Sequence, residues 1–196
     1  FHVLNGTVQD LTIDGATVTC FRGAALIGRL DAGLVENCHV KNARIYSEQK
    51  AGGLAGYVNN SSQDLIIRGC SASDITLDKL SSMDEAYMMG GFIGYLQSYE
   101  RNTLIENNSV SNIAINYIYT SPDEATDKVA DMEQTYCHAF IGNVINTSKK
   151  DESYNKYSVV LKNNRVDKQL ENAVTCDRTN NYIGWWAGDY NLNGNN

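Results

Sequence analysis

The 196-residue chain has a formal net charge of −7, 20% charged residues, 16 glycines, 12 tyrosines and a single proline. With no basic block, the counterion release that drives nucleic-acid binding has no source, and no apolar run approaches the roughly 20 residues a membrane-spanning helix needs. Abundant Gly and Asn disfavour helices and suit short strands joined at tight corners, so one all-β domain is expected over residues 1–196, with no composition break to divide it.

Taken in chain order, the elements repeat. The opening FHVLNGTV matches the later IGRLDAGLV, so the chain is expected to begin inside a strand and, lacking an initial Met or a signal-like segment, to be a processed or excised part of a longer protein. A strand block follows at residues 8–18 (VQDLTIDGATV) and recurs at 35–45, 67–77, 105–115 and 161–171. Between its copies a glycine block recurs: GAALIGRL (23–30), AGGLAGYV (51–58), MGGFIGYL (89–96), CHAFIGNV (137–144) and, weakly, NNYIGWW (180–186). A phosphate-cradling glycine loop occurs once and opens a helix. This motif recurs without any helical apolar period after it, so it is read as structural.

Aligning the strand blocks fills three inward columns with like residues. The first is Val8, Val35, Ile67, Ile105 and Leu161, the second Ile13, Val40, Ala72, Val110 and Val166, the third Val18, Ile45, Leu77, Ile115 and Glu171. Two further columns read Asp10, Asn37, Gly69, Asn107, Asn163 and Gly15, Asn42, Asp74, Asn112, Lys168. Asp, Asn and Gly enter the left-handed region at little cost, so each of these is expected to be a bend. One such repeat cannot bury its apolar side alone, whereas stacked repeats share a continuous core. The expected fold is therefore a parallel β-solenoid of about five irregular coils, a stubby prism, with repeats at roughly residues 1–22, 23–50, 51–88, 89–136 and 137–179 and a capping segment at 180–196. Stacking would also make ladders of Cys38 over Cys70 and of Asn108 over Asn164. The two thiols are read as small buried hydrophobes rather than a disulfide. The five cysteines form no CxxC pair, so no zinc site or dense disulfide framework is signalled.

The connection after the third column lengthens along the chain, from residues 46–50 to 78–88 to 116–134, which places insertion loops on one edge, where binding surfaces tend to lie. The longest insertion contains Asp123, Asp127 and Asp131, weak candidates for a carboxylate pair or calcium site; a solvated acidic loop is the alternative, since EF-hand order is lacking.

These blocks, above all VENCHVKNARIYSEQKAGGLAGYV and IIRGCSASDITL, resemble the GLUG-type repeat, in which a G-G-L-x-G-Y strand and an N-C-x-V/A strand alternate. The resemblance spans about residues 7–184, departing from it at the long insertions, at the Asn-Asn pairs of the fourth and fifth copies and at the Trp-rich end. It implies a secreted or surface bacterial protein with an adhesive or structural role, and it brings no catalytic residues.

Two outward rows are the candidate surfaces. The residues after the anchoring glycines, Arg29, Tyr57, Tyr95, Asn143 and Trp185, would form a ladder of planar groups able to stack sugars or a peptide; plain cross-strand packing is the alternative. Beside them Ile27, Ala55, Ile93, Ile141 and Ile183 form an apolar row, expected to be covered by an insertion or to face a partner. No catalytic motif or cofactor signature is present, and the three histidines are scattered. The expected function is non-catalytic adhesion or recognition of a host glycan or protein, at the cell surface or outside the cell. The alternatives are a structural or assembly subunit of an appendage or phage fibre that packs on neighbouring domains, and a polysaccharide-active enzyme.

Overall fold

The computed structural model describes residues 1–80, 88–99, 101–116, 136–146, 158–167, 174–175 and 190–193. Its strands are β1 (Val3–Gln9), β2 (Thr12–Asp14), β3 (Thr17–Ala24), β4 (Ile27–Glu36), β5 (His39–Gly52), β6 (Ala55–Asn60), β7 (Leu65–Arg68), β8 (Ser71–Lys79), β9 (Met88–Gly90), β10 (Ile93–Ser98), β11 (Thr103–Glu106), β12 (Ser109–Asn116), β13 (Tyr136–His138), β14 (Ile141–Asn146), β15 (Ser158–Lys162), β16 (Arg165–Val166), β17 (Val174–Thr175) and β18 (Tyr190–Asn193). No helix occurs among the described residues.

The chain passes alternately through two sheets. One runs β14-β10-β6-β4-β7-β11-β15-β18 with β1 against β4; the other runs β13-β9-β5-β8-β12-β16 with β2 and β3 against β5 and β17 against β12. Strands pair in parallel throughout, except that β18 lies antiparallel on β15. The long β4 serves two neighbours, its first half pairing with β6 and its second with β7.

The register follows the expected columns. Val8 lies beside Val35, Val35 beside Ile67, Ile67 beside Ile105 and Ile105 beside Leu161. Ile13, Val40, Ala72, Val110 and Val166 form a second row. In the third, Val18, Ile45, Leu77 and Ile115 pair as expected, but Ile115 meets Val174. Glu171 lies outside the described residues. Val35, Val40, Ile45, Ile67, Leu77, Ile105 and Ile115 are fully buried, each stabilising the fold by roughly 1.5–3 kcal/mol. A one-residue slip would turn a whole row outward, so these rows fix the register.

The expected bends have the predicted backbone sign. Asp10, Asn37, Asn107 and Asn163 have φ between 50 and 56°, and Gly69 has φ 64°. At this column the chain leaves one sheet for the other. Asn42, Asp74 and Asn112 are also left-handed, as is Gly15, but here the expectation of a second corner is corrected. Asn42, Asp74 and Asn112 lie inside β5, β8 and β12, which continue in the same sheet on both sides. The second column is a kink that curls one sheet, and the described residues form two sheets rather than the three sides of a prism. Lys168 lies outside the described residues.

The return crossing is made at the glycine block, by a different device. There the turn residues Leu26, Leu54, Phe92 and Phe140 point into the interior, with Phe92 and Phe140 stacked at 5.1 Å. The turn itself dips into the curl of the second sheet: a Cβ on Gly53 would lie 3.0 Å from the Ala72 Cβ, and one on Gly91 2.8 Å from the Ile113 Cγ1. The incoming arm of one repeat's turn then touches the outgoing arm of the next repeat's turn, backbone to backbone. A Cβ on Gly56 would meet the Gly23 carbonyl carbon at 2.6 Å, and one on Gly94 the Ala51 carbonyl oxygen at 2.6 Å.

Candidate functional site

A ladder of side chains runs through the interior just past the Asn corner. The Cys38 N–H donates to the Cys70 Sγ at 3.4 Å, the Cys70 N–H to the Asn108 Oδ1 at 2.9 Å, and the Asn108 N–H to the Asn164 Oδ1 at 3.1 Å. Each side chain also donates back toward the preceding repeat: Cys38 to the Val8 carbonyl, Cys70 to that of Val35, Asn108 to that of Ile67 and Asn164 to that of Ile105. Cys and Asn thus occupy one role, accepting from one backbone group and donating to another, and they leave the corner's buried polar groups paired. No disulfide joins Cys20, Cys38, Cys70 or Cys137, and burial pushes the Cys70 thiol up to about 12, so it stays neutral.

Around the glycine turn the structure assembles the aromatic row. Arg29, Tyr57, Tyr95 and Asn143 stand in register on β4, β6, β10 and β14. The Tyr57 and Tyr95 rings stack at 5.4 Å and 11°, and the Arg29 guanidinium lies 5.9 Å from the Tyr57 centroid. Lys50, on the incoming arm of the turn, sets its ammonium 4.5 Å from the Tyr57 centroid and 4.6 Å from that of Tyr95. The Tyr57 hydroxyl lies 3.0 Å from the Asn59 Oδ1 and 2.8 Å from the Gln97 Oε1, with one proton to donate to either, and Arg29 pairs with Asp31 at 2.6 Å. Burial raises the Tyr57 phenol above its ordinary value, with the Tyr99 charge adding to the effect and Arg29 opposing it.

This geometry limits what the row can hold. Rings stacked along the ladder spend their faces on one another, and Tyr95 and Asn143 are only 6% and 8% exposed. What reaches solvent is the end formed by Arg29 and half-buried Tyr57, with Asn59 and Gln97 beside it. A ligand there would meet polar edges and a cation, not an open aromatic platform. Lys50 carried no ladder signal in the sequence, because its column reads Arg22, Lys50, Met88. Trp185 lies outside the described residues.

The neighbouring apolar row is placed differently from a surface. Ile27, Ala55, Ile93 and Ile141 are each 0% exposed within the single chain and belong to the main apolar cluster. The glycine turn's descent into the curled sheet explains why both faces of these strands are apolar. Ile183 lies outside the described residues, as do Asp123, Asp127 and Asp131. Among the described residues no group of three or more His, Cys, Asp or Glu could hold a metal ion, and no helix is long and apolar enough to cross a membrane.

The longer connections leave from matching points. β8 ends at Lys79, in register with Ser47, and β12 ends at Asn116, in register with Asp78; after both, the strands rejoin at Met88 and Tyr136, which pair with each other. A second set opens in the other sheet after Asn60, Ser98 and Asn146, which also share one register position. Comparison with known proteins finds no matching family profile, no matching curated protein and no matching solved structure.

Proposed function

We propose that this chain is a non-catalytic recognition module of a secreted or surface-attached bacterial protein, its two sheets forming a parallel β-solenoid of about five irregular coils. The observation that carries the reading is the pairing of constant strands with inserted segments: successive repeats stay in register on both sides of insertions of different length. A frame that absorbs segments at fixed points without losing register is suited to display them. The resemblance to GLUG-type repeats supports the extracellular assignment, and a host glycan or protein is the expected ligand. The Arg29 and Tyr57 end of the aromatic row, beside the segments that leave after Asn60 and Ser98, is the part of the frame best placed to contribute. An adhesive role predicts retention of the chain on a glycan or host-protein array. Retention should fall at least tenfold when residues 117–135 are replaced by a short connection, and fall less for Arg29→Ala with Tyr57→Ala. Absence of binding across broad panels of both kinds would sink the proposal.

A further inference from the structure

The outer faces of the two sheets differ in chemistry. On β5, β8 and β12 the outward residues are polar, with His39, Ser71 and Ser109 in one row and Lys41, Ser73 and Ser111 in the next. That is the alternation of a sheet with one face in water. On β4, β7, β11 and β15 the outward row is instead Leu34, Ile66, Leu104 and Val160, aliphatic side chains in register. All of them are partly exposed, and none is part of the main apolar cluster or of the partly buried residues packed on it. Leu65 and Ile67 on either side of Ile66 are fully buried, so the row cannot turn inward without turning the core outward.

Two residues further along the same strands Glu36, Arg68, Glu106 and Lys162 form a second outward row in register. Charge therefore alternates along the stack, and within the chain Arg68 pairs with Glu36 at 2.6 Å. An apolar row on a solvent face, bordered by charge, is the composition of a protein contact. We infer that this face binds a second copy of the chain.

The charge row carries the choice of partner. Two copies packed face on face are related by a two-fold axis lying between them, so that each contact occurs twice. With the axis along the strands, passing between β7 and β11, strand direction is kept and the order of repeats is reversed. Leu34 then meets Val160 of the other copy and Ile66 meets its Leu104. On the charged row Glu36 meets Lys162 and Arg68 meets Glu106, every charge opposite its counter-charge. A row that reads minus, plus, minus, plus is its own complement when reversed, which makes this face complementary to itself. With the axis along the stack instead, the aliphatic rows could meet only by placing the two charged rows on opposite sides of the contact, unpaired across it. Strands about 4.8 Å apart give a face roughly 20 Å long, and two such faces bury on the order of 1,000 Å² in total. That is the low end for specific interfaces, so a weak, reversible dimer is expected.

Sedimentation equilibrium on the 196-residue chain tests this, and the expected result is a monomer–dimer equilibrium. Ile66→Thr with Leu104→Thr removes apolar contact at partly exposed positions where Thr suits a strand, and should weaken association at least tenfold with an unchanged circular dichroism spectrum. A second variant inverts the charged row: Glu36→Lys, Arg68→Glu, Glu106→Lys and Lys162→Glu. Alternation within the chain is preserved, so this variant should pair with itself as well as the native chain does. Against the native chain every charge now faces its like, and mixed dimers, read by energy transfer between differently labelled chains, should be at least tenfold weaker. A chain monomeric at every concentration, mixed dimers as tight as the native ones, or a dimer indifferent to the Thr substitutions would each overturn the inference.

Discussion

The molecule turns its chain between the same two sheets in two ways. At the Asn corner the turn is made by one residue's own backbone: Asp10, Asn37, Asn107 and Asn163 sit at positive φ with side chains exposed to solvent. At the glycine corner the turn is made by what is missing, since Gly56 and Gly94 lie where any side chain would strike a neighbouring backbone. The first device is local, and Asp, Asn or Gly serves equally well there. The second depends on strands far away in sequence and allows one residue type only.

Substitution at the two corners should therefore diverge. Gly94→Val sets side-chain atoms against the Gly56 and Ala51 carbonyls and requires two strands to move, so a loss of more than about 3 kcal/mol is expected, with failure to fold as the extreme. Asn107→Gly at the other corner should change stability by only a few tenths of a kcal/mol, and Asn107→Val by about 1–2 kcal/mol through left-handed strain alone. Urea unfolding midpoints of the three variants measure the contrast; equal losses for Gly94→Val and Asn107→Val would abolish it.

A buried histidine beside the glycine corner adds a pH test. His138 is 2% exposed, its Nε2 has no hydrogen-bond partner, and burial lowers its pKa to about 4. The unfolded chain then binds more protons than the folded one between the ordinary histidine value of about 6.5 and about 4. The neutral ring's contribution is complete above that window and is lost as pH falls through it, at no more than about 1.4 kcal/mol per pH unit. Unfolding free energy should decline from pH 6.5 toward 4 in the native chain, and His138→Gln should flatten that slope; an unchanged slope would mean that His138 does not set it.

The interior ladder gives a smaller effect. Cys70→Ala leaves the Cys38 N–H without its acceptor and should cost about 1–2 kcal/mol, whereas Cys70→Asn supplies the acceptor that Asn108 provides one repeat later and should cost less. Reversal of that order, read from thermal unfolding, would mean that packing volume rather than hydrogen bonding governs the column.

What is legible in the sequence follows the same division. Positive φ is expressed in residue type, so Asn37, Asp74 and Asn112 are recognisable as left-handed from the sequence alone. The inward rows are legible because buried positions on stacked strands select like residues. Whether a left-handed residue turns the chain or merely kinks it is decided by strand pairing on both its sides, and nothing at Asn42 or Asp74 distinguishes them from Asn37. The apolar row of Ile27, Ala55, Ile93 and Ile141 is legible as a covered row, because it is apolar where strict alternation points outward, but that it joins the main apolar cluster of the single chain is not visible in any one repeat. The aromatic row is placed correctly in register, but ring orientation, which uses up the faces of Tyr57 and Tyr95, is a property of the stack and is invisible in any one repeat.

Parallel, in-register pairing of successive repeats underlies every feature described above, and methyl–methyl nuclear Overhauser effects along one column read that pairing without intermediate steps. Strong cross-peaks are expected from Val35 to Ile67 and from Ile67 to Ile105, with none between Val35 and Ile105 two strands apart. Cross-peaks joining Ile67 instead to Ala72 or Val110 on the other column's strands, with none to Val35 or Ile105, would show that the repeats do not stack in this way.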